Sequence, residues 1–400
     1  MDSFDELFQD NSEDSLDKIT SRKEVNPNHI PSASSMRKEE SNIDLINASL
    51  TTQEKRENGL AQYLEQPAEE GFRGFLTRLG ISMPPSAEEV AKRKQIYKAR
   101  EEQFAMRSRL QKDRGKRSIF AVFSEKGGAG KSTTSALLAF ALAQFGGKSV
   151  ALAEVNPHRG TLADKMGTPT DKCLVDLIDS LGNNTNEEFY GTDPRDFMPQ
   201  VEGLSVNVLA GNVAKGPQRY STSAQDVIMV AKSLSNNWST IVLDNGTDIE
   251  DSGEDWSQKS AAFGSFAVAS SLVLITNPDV GEADRIVNST LNLLEERASD
   301  KTISSKDAEA WRQLRRSVVL VIVDKIATNA TKKMITEGDG ELIGSEKAFE
   351  VYQKFHSKVR GVVIVPYDPA LATTPVNFQS IQGRTKKAAM KLADLVWSHK

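Results

Sequence analysis

Lys126 and Lys131 flank three glycines, Gly127, Gly128 and Gly130, in the stretch SEKGGAGKSTT that runs from Ser124 to Thr134. Glycines this dense let a backbone turn approach an anion closely, with dihedrals that side chains forbid. An apolar run, SIFAVFS, leads into the turn, and a helical pattern, SALLAFALAQFG, follows Lys131-Ser132-Thr133. Strand, glycine turn and helix N-terminus together make a phosphate site, because backbone N–H groups and the positive end of the helix point at the anion. Lys131 is placed to reach the β and γ phosphates of a nucleotide, and the Ser132 hydroxyl to coordinate Mg²⁺. The ordinary pattern G-x-x-x-x-G-K-[ST] asks for glycine at 125, where this chain has Glu125. The loop thus departs from the strict form at its first position and adds a cation, Lys126, that the form does not require.

The elements that must position this loop follow from texture. Apolar runs recur at KSVALAEVN, LSVNVLAG, STIVLDNG, SLVLITNP, SVVLVIVD and GVVIVPYD, separated by stretches of helical composition. Strands apolar throughout and alternating with helices predict an α/β fold, a mostly parallel sheet of about seven or eight strands covered by helices on both faces, over residues 118–400. The closing helix is RTKKAAMKLADLVWSHK, with Ala388, Ala389, Leu392, Leu395 and Val396 on one broad face. Residues 1–70 carry 16 acids against 7 bases and few aromatics, which predicts a disordered acidic tail. Within it, Phe4, Leu7 and Phe8 could form a short docking motif. Residues 71–117 form a helical extension. Phe72, Phe75, Leu76 and Leu79 fall at i, i+3, i+4 and i+7, an amphipathic helix too short to stand alone; it must dock on the protein's own core, on a partner or on a membrane surface.

A second helix is predicted from about Ala87 to Leu110, ending in a basic stretch. Lys92, Arg93, Lys94, Lys98, Arg100, Arg107, Arg109, Lys112, Arg114, Lys116 and Arg117 stand against three acids, a local excess of eight positive charges in a chain whose net charge is −5. Such a patch suits nonspecific DNA or an anionic lipid surface, and equally a solvated helix face. Cys173 is the single cysteine, which excludes disulfide frameworks and thiolate metal sites, and the histidines are too scattered for a metal cluster. The first residues lack a signal-peptide layout, and no apolar run reaches the roughly 20 residues of a membrane span. The expectation is a soluble cytoplasmic protein that can visit the nucleoid or the inner membrane.

The segment Lys126-Gly127-Gly128-Ala129-Gly130-Lys131-Ser132-Thr133 resembles the deviant phosphate loop, K-G-G-x-G-K-[ST]-T, of the ParA/MinD family of ATPases. The resemblance implies ATP and Mg²⁺ as ligands and a nucleotide-sandwich homodimer in which Lys126 crosses to the partner's phosphates. A cation supplied only on dimerisation would act like an arginine finger, worth roughly 10³ to 10⁵ in rate. TIVLDNGT resembles the family's second acidic motif, so Asp244 is expected to hold Mg²⁺ through water. VALAEVNPHRGTL occupies the place of the family's switch segment, usually Asp-x-Asp-Pro, and here the pair is Glu154 and Asn156. Glu154 can still accept a hydrogen bond from a metal-bound water. Asn156 is a neutral substitute for the aspartate that orients the attacking water, which implies slow or partner-dependent hydrolysis. Asp324-Lys325 and Pro366-Tyr367-Asp368 stand where the family places its base pocket. An aspartate at 324 suits the adenine amine, yet also resembles the guanine-reading residue of GTPases; the family favours ATP.

NPHRGTLADK, DNGT and VPYDPAL, preceded by GFRGFLTRLGISMPPSAEE, resemble an actinobacterial, EspI-like branch associated with type VII secretion and conjugative plasmids. The resemblance covers about residues 71–400. It implies an ATP-dependent switch that dimerises, engages an unidentified partner protein, DNA or a membrane, and is released by hydrolysis. The alternative is a nucleotide-locked scaffold with little turnover because of Asn156.

Overall fold

The computed structural model describes residues 52–156, 160–182, 192–212, 222–246, 260–325, 332–336 and 340–398. Their contacts form two units, one reaching to Ala105 and the other starting at Met106.

The smaller unit holds α1 (Thr52–Glu65), α2 (Gly71–Arg78) and most of α3 (Ala87–Gln111). The expected disorder through residue 70 fails from Thr52 onward; residues 1–51, with Phe4, Leu7 and Phe8, lie outside the described residues. The physical reason is one buried charge pair that composition averages over. Arg93, 5% exposed, pairs with Glu89 at 2.9 Å and donates to the carbonyls of Tyr63, Gln66 and Pro67 at 3.3, 2.7 and 2.8 Å. Glu89 also accepts from the Glu69 amide at 2.8 Å, so the segment after α1 is fastened to α3 at both ends of the pair. Arg93 is therefore withdrawn from the proposed anion-binding set. In α2, Gly74 is the buried residue, set so close to Glu69 that a Cβ there would lie 2.3 Å from that backbone, while Phe72, Phe75 and Leu79 of the apolar stripe are 56–74% exposed.

In the larger unit the seven apolar runs become seven strands: β1 (Ser118–Phe123), β2 (Val150–Glu154), β3 (Val206–Leu209), β4 (Thr240–Asp244), β5 (Ser271–Thr276), β6 (Val319–Val323) and, after a separate hairpin of β7 (Lys332–Thr336) and β8 (Gly340–Gly344), β9 (Gly361–Val365). The sheet order is β3-β2-β4-β1-β5-β6-β9, and every pairing in it is parallel. Successive side chains enter opposite cores. Phe120 and Val122 pack with α4 (Lys131–Gln144) and α12 (Gly383–Trp397), whereas Ala121 and Phe123 pack with residues of α8 (Ala261–Val268) and α9 (Val280–Ser299). Burying each such large apolar side chain contributes roughly 1.5–3 kcal/mol. The sheet is completed on its faces by α5 (Leu162–Met166), α6 (Leu174–Gly182), α7 (Ala224–Leu234), α10 (Ser305–Arg316) and α11 (Glu346–Phe355). The antiparallel β7–β8 hairpin was not anticipated, because KKMIT and GELIG lack the apolar run that marks a covered strand.

The predicted closing helix is α12, with Ala388, Ala389, Leu392 and Val396 buried. The end of α3 joins this core through Met106 and Leu110. Several of the cations proposed for DNA are engaged internally: Arg109 makes a bidentate pair with Asp394 at 2.8 and 2.6 Å, Arg114 lies 5.4 Å from the Trp397 ring, and Lys92 pairs with Glu70. Lys94, Lys98, Arg100, Lys112, Lys116 and Arg117 are exposed, and Arg107 is half-buried. Among the described residues no cluster of metal-ligating side chains occurs, and no helix is long and apolar enough to cross a membrane.

Candidate nucleotide site

The glycine loop joins the C-terminal end of the central strand β1 to α4. Gly128 and Gly130 have φ of 70° and 106°, values that favour glycine, and a Cβ on Gly130 would lie 3.2 Å from Val323. Gly130 caps α4 without any side-chain acceptor, so the helix's first-turn N–H groups, among the orphan donors of every helix start, are left for a ligand. Above the loop lies a cleft of about 380 Å³. Its floor is Gly127, Gly128, Gly130, Lys131, Ser132 and Thr133, and its sides come from Glu154 at the end of β2, Asn156, Thr161 and Lys165 after it, Asp244 and Asn245 at the end of β4, and Lys325 after β6. Ala129 is fully buried in the core beneath.

Strand register brings the carboxylates together. Asp244 pairs with Glu154 across β4–β2 and with Val122 across β4–β1, so both acids project from neighbouring strand ends beside the loop. Asp244, 1% exposed, accepts from the Ser135 hydroxyl at 2.9 Å and from Ser132. Burial pushes its carboxyl above the ordinary range, against the pull of both serines, Lys131 and Lys165. Glu154, 3% exposed, is pushed up to about 7, by burial first and by the Asp244 charge second. Two acids on neighbouring strand ends whose carboxyls are both pushed upward by burial are suited to a divalent metal, which would favour their ionised forms.

Glu154 also holds the backbone that follows β2. Its carboxylate accepts from the backbone amides of Thr161, Leu162 and Gly211 at 3.1, 3.1 and 3.3 Å, which fixes the start of α5 over the cleft. A Cβ on Gly160 would lie 1.9 Å from a Glu154 oxygen, so the longer acid fits because residue 160 is glycine. Pro157, His158 and Arg159 lie outside the described residues.

Lys126 is turned to the other side. Its ammonium pairs with Glu282 of α9 at 3.0 Å and lines an adjoining cleft of about 560 Å³ with Asn277, Arg285, Lys325 and Lys347. Burial alone would raise the Glu282 carboxyl, but hydrogen bonds from Lys126 and Asn277 outweigh it and hold the carboxyl below its usual range. Lys325 ties the two clefts, donating to the Gly128 carbonyl and, at 3.0 Å, to the Asn277 side chain. The remaining predicted base-pocket residues stand outside both clefts. Asp324, 6% exposed, accepts from the Ser345 amide at 2.8 Å through one oxygen, and its other oxygen is buried without a partner among the described residues. Pro366 is buried, and Asp368 uses both oxygens on backbone amides, Ala370 at 3.1 Å and Gln382 at 2.8 Å, to hold the turn before α12. Sequence reasoning missed Gly160, Thr161, Lys165 and Asn245. Asn245 was legible as the residue after the strand-end aspartate; Lys165 and Gly160 carry no local signal.

A search of curated proteins finds no match. Among solved structures, the chain is similar to the cell division ATPase MinD of Pyrococcus furiosus, at 20% identity over 70% of this chain and 98% of that one, with a TM-score of 0.45. It is similar to MinD of Pyrococcus horikoshii OT3, solved with Mg-ADP, at 18% identity over 69% of this chain and 94% of that one, TM-score 0.45. A ParA family ATPase of Chlorobium tepidum matches at 15% identity over 70% of this chain and 97% of that one, TM-score 0.44. The family model for the CobQ/CobB/MinD/ParA nucleotide binding domain matches residues 120–381, a segment that contains the glycine loop, both cleft carboxylates and every strand after β1. This chain, with its glycine cradle and paired strand-end acids, belongs to the CobQ/CobB/MinD/ParA nucleotide-binding domain family.

Proposed function

We propose that this chain is an ATP-dependent molecular switch of the ParA/MinD type, which binds Mg-ATP, closes as a homodimer and hydrolyses ATP slowly. The observation that carries the reading is the convergence of Lys131, Ser132, Glu154 and Asp244 on one cleft above a glycine loop that a second lysine, Lys126, precedes. The loop amides and Lys131 would hold the β and γ phosphates, and Ser132 and Asp244 would hold Mg²⁺, directly or through water. Mg²⁺, when bound, would neutralise charge on the β and γ phosphates. Asn156 lines the same cleft and would orient the attacking water as a neutral donor and acceptor; Lys126 would exchange Glu282 for the phosphates of a second subunit.

The finer reading is a deviant-loop member of the actinobacterial EspI-like branch that works in the cytoplasm on plasmid or chromosome partitioning, conjugation or type VII secretion, with an unidentified partner protein. Nonspecific DNA contact rests on the exposed Lys94, Lys98, Arg100, Lys112, Lys116 and Arg117, without Arg93. Asn156 favours a second reading, a nucleotide-locked scaffold with little turnover. Calorimetric titration with Mg-ATP and a phosphate-release assay separate these outcomes. The switch predicts binding that Lys131→Ala abolishes and measurable release by the wild type, whereas the scaffold predicts binding without wild-type release and a large gain in Asn156→Asp; absence of Mg-ATP binding by the wild type would remove the proposal.

A further inference from the structure

The wall of the cleft that follows β2 carries a cation that the loop motif does not contain. Lys165 lies on α5, lines the cleft together with Lys131, Ser132, Asn156 and Asp244, and is half-buried. Its backbone is held at several points. The start of α5 is clamped by Glu154, the Lys165 amide donates to the Thr161 carbonyl at 3.0 Å, and the Lys165 carbonyl accepts from Val376 at 2.8 Å. Leu162 and Met166, on either side of it, are buried in the core under α4. The ammonium is close enough to Asp244 for the two charges to interact, and among the described residues no hydrogen bond or ion pair engages it.

This placement differs from that of the other cations. Lys131 approaches from the loop, where it would span the β and γ phosphates, and Lys325 from the end of β6, where it holds the Gly128 carbonyl. Lys165 approaches from the segment that also carries Asn156, the residue that the reading above sets beside the attacking water. A fixed cation there meets charge that ATP has and ADP lacks.

We propose that Lys165 is a γ-phosphate contact supplied in cis, which lets the site distinguish ATP from ADP and stabilises the transferring phosphoryl group where Asn156 offers no charge. The inference rests on the ATP reading given above and names a residue that reading does not use. In the step it assists, the water oxygen forms a bond to the γ phosphorus as the bond from that phosphorus to the β–γ bridging oxygen breaks. ADP leaves with the bridging oxygen, the water's protons end on inorganic phosphate and solvent, and Lys165 stays protonated throughout. Charge-assisted hydrogen bonds of this kind are roughly twice as strong as neutral ones, and in a water-poor site they act on charge that grows during transfer.

The test is calorimetric titration of the full chain with Mg-ADP and with the magnesium complex of a non-hydrolysable ATP analogue, for wild type, Lys165→Ala, Lys165→Arg and Lys131→Ala. The expected result is that Lys165→Ala weakens the ATP analogue by at least about tenfold, leaves ADP within about twofold, and that Lys165→Arg recovers most of the loss. Single-turnover hydrolysis should fall by at least the same factor. Equal weakening of both nucleotides, or of neither, overturns the inference while leaving the ATP reading intact if Lys131→Ala still abolishes binding. A wild-type chain that binds neither nucleotide overturns both. Melting curves of the nucleotide-free variants guard against misfolding, and a Lys165→Ala protein that melts lower is read through Lys165→Arg alone: arginine restoring the fold without the ATP preference counts against the proposal.

Discussion

Glu89 in the smaller unit and Glu154 in the larger expose little surface, 5% and 3%, yet Glu89 lies just beneath the surface and Glu154 deep in the fold, and their surroundings push them in opposite directions. The Glu89 carboxyl is held below its usual range by the Glu69 amide and by Arg93, which outweigh burial. The Glu154 carboxyl is pushed up to about 7 by burial and by Asp244, against three backbone amides. In the first case a cation of the chain itself satisfies the charge, and the result is a fastener between α1 and α3. In the second, burial and the neighbouring acid outweigh the pull of the amides on Glu154 and of Lys131 and Lys165 on Asp244, an arrangement that is unfavourable for the empty protein and suited to Mg²⁺.

The comparison is broken most severely by removing Arg93. Arg93→Ala leaves Glu89 to backbone amides alone and takes the donor from three carbonyls, and should destabilise the smaller unit by about 3 kcal/mol. Amide exchange over residues 60–105 reads this directly; protection reduced by less than about 1 kcal/mol would mean that the pair is not a fastener. Next is the packing that admits Glu154. Gly160→Ala brings a Cβ within 1.9 Å of its carboxylate and should destabilise the larger unit by about 1–3 kcal/mol, with much of the loss recovered when Glu154→Asp is added. Additive effects in that double-mutant cycle would contradict the fit.

The pH dependence sharpens the same contrast. Because the folded Glu89 pKa is depressed, its contribution is present above the ordinary carboxylate range and is lost as pH falls through its folded pKa. Because the folded Glu154 pKa is raised, stability from that region of the nucleotide-free protein is greatest below the ordinary range and declines as pH rises through about 7. Mg²⁺ requires the ionised acids, so the stabilisation it gives should grow as pH rises through about 7, and melting curves with and without Mg²⁺ measure it. A magnesium increment independent of pH would place the metal elsewhere. The smallest effect belongs to the Arg109–Asp394 pair, whose arginine is 45% exposed; Arg109→Ala should change stability by no more than about 1 kcal/mol in chemical denaturation.

The parts of the molecule legible in the sequence are those whose reason is local. Each strand of the sheet announces itself as a covered apolar run, and the loop announces its conformation through Gly128 and Gly130. The parts that were not legible depend on partners distant in sequence. Arg93 reads as one of a row of cations until Tyr63, Gln66 and Pro67 are seen to converge on it, some thirty residues away. The β7–β8 hairpin has no apolar run to betray it. Glu154 reads as an imperfect acid, and its three amide donors, including Gly211 from after β3, become visible only in the fold. Asp368, read as a base contact, proves to be committed to a turn.

The central claim is a switch in which Lys126 leaves Glu282 for the phosphates of a second subunit. Light scattering of the full chain with Mg-ATP and with Mg-ADP, for wild type and Lys126→Ala, tests it most directly. The account predicts a doubled mass with Mg-ATP alone, lost in the variant. A wild-type mass that stays that of one chain with both nucleotides, although Mg-ATP binds, would contradict it.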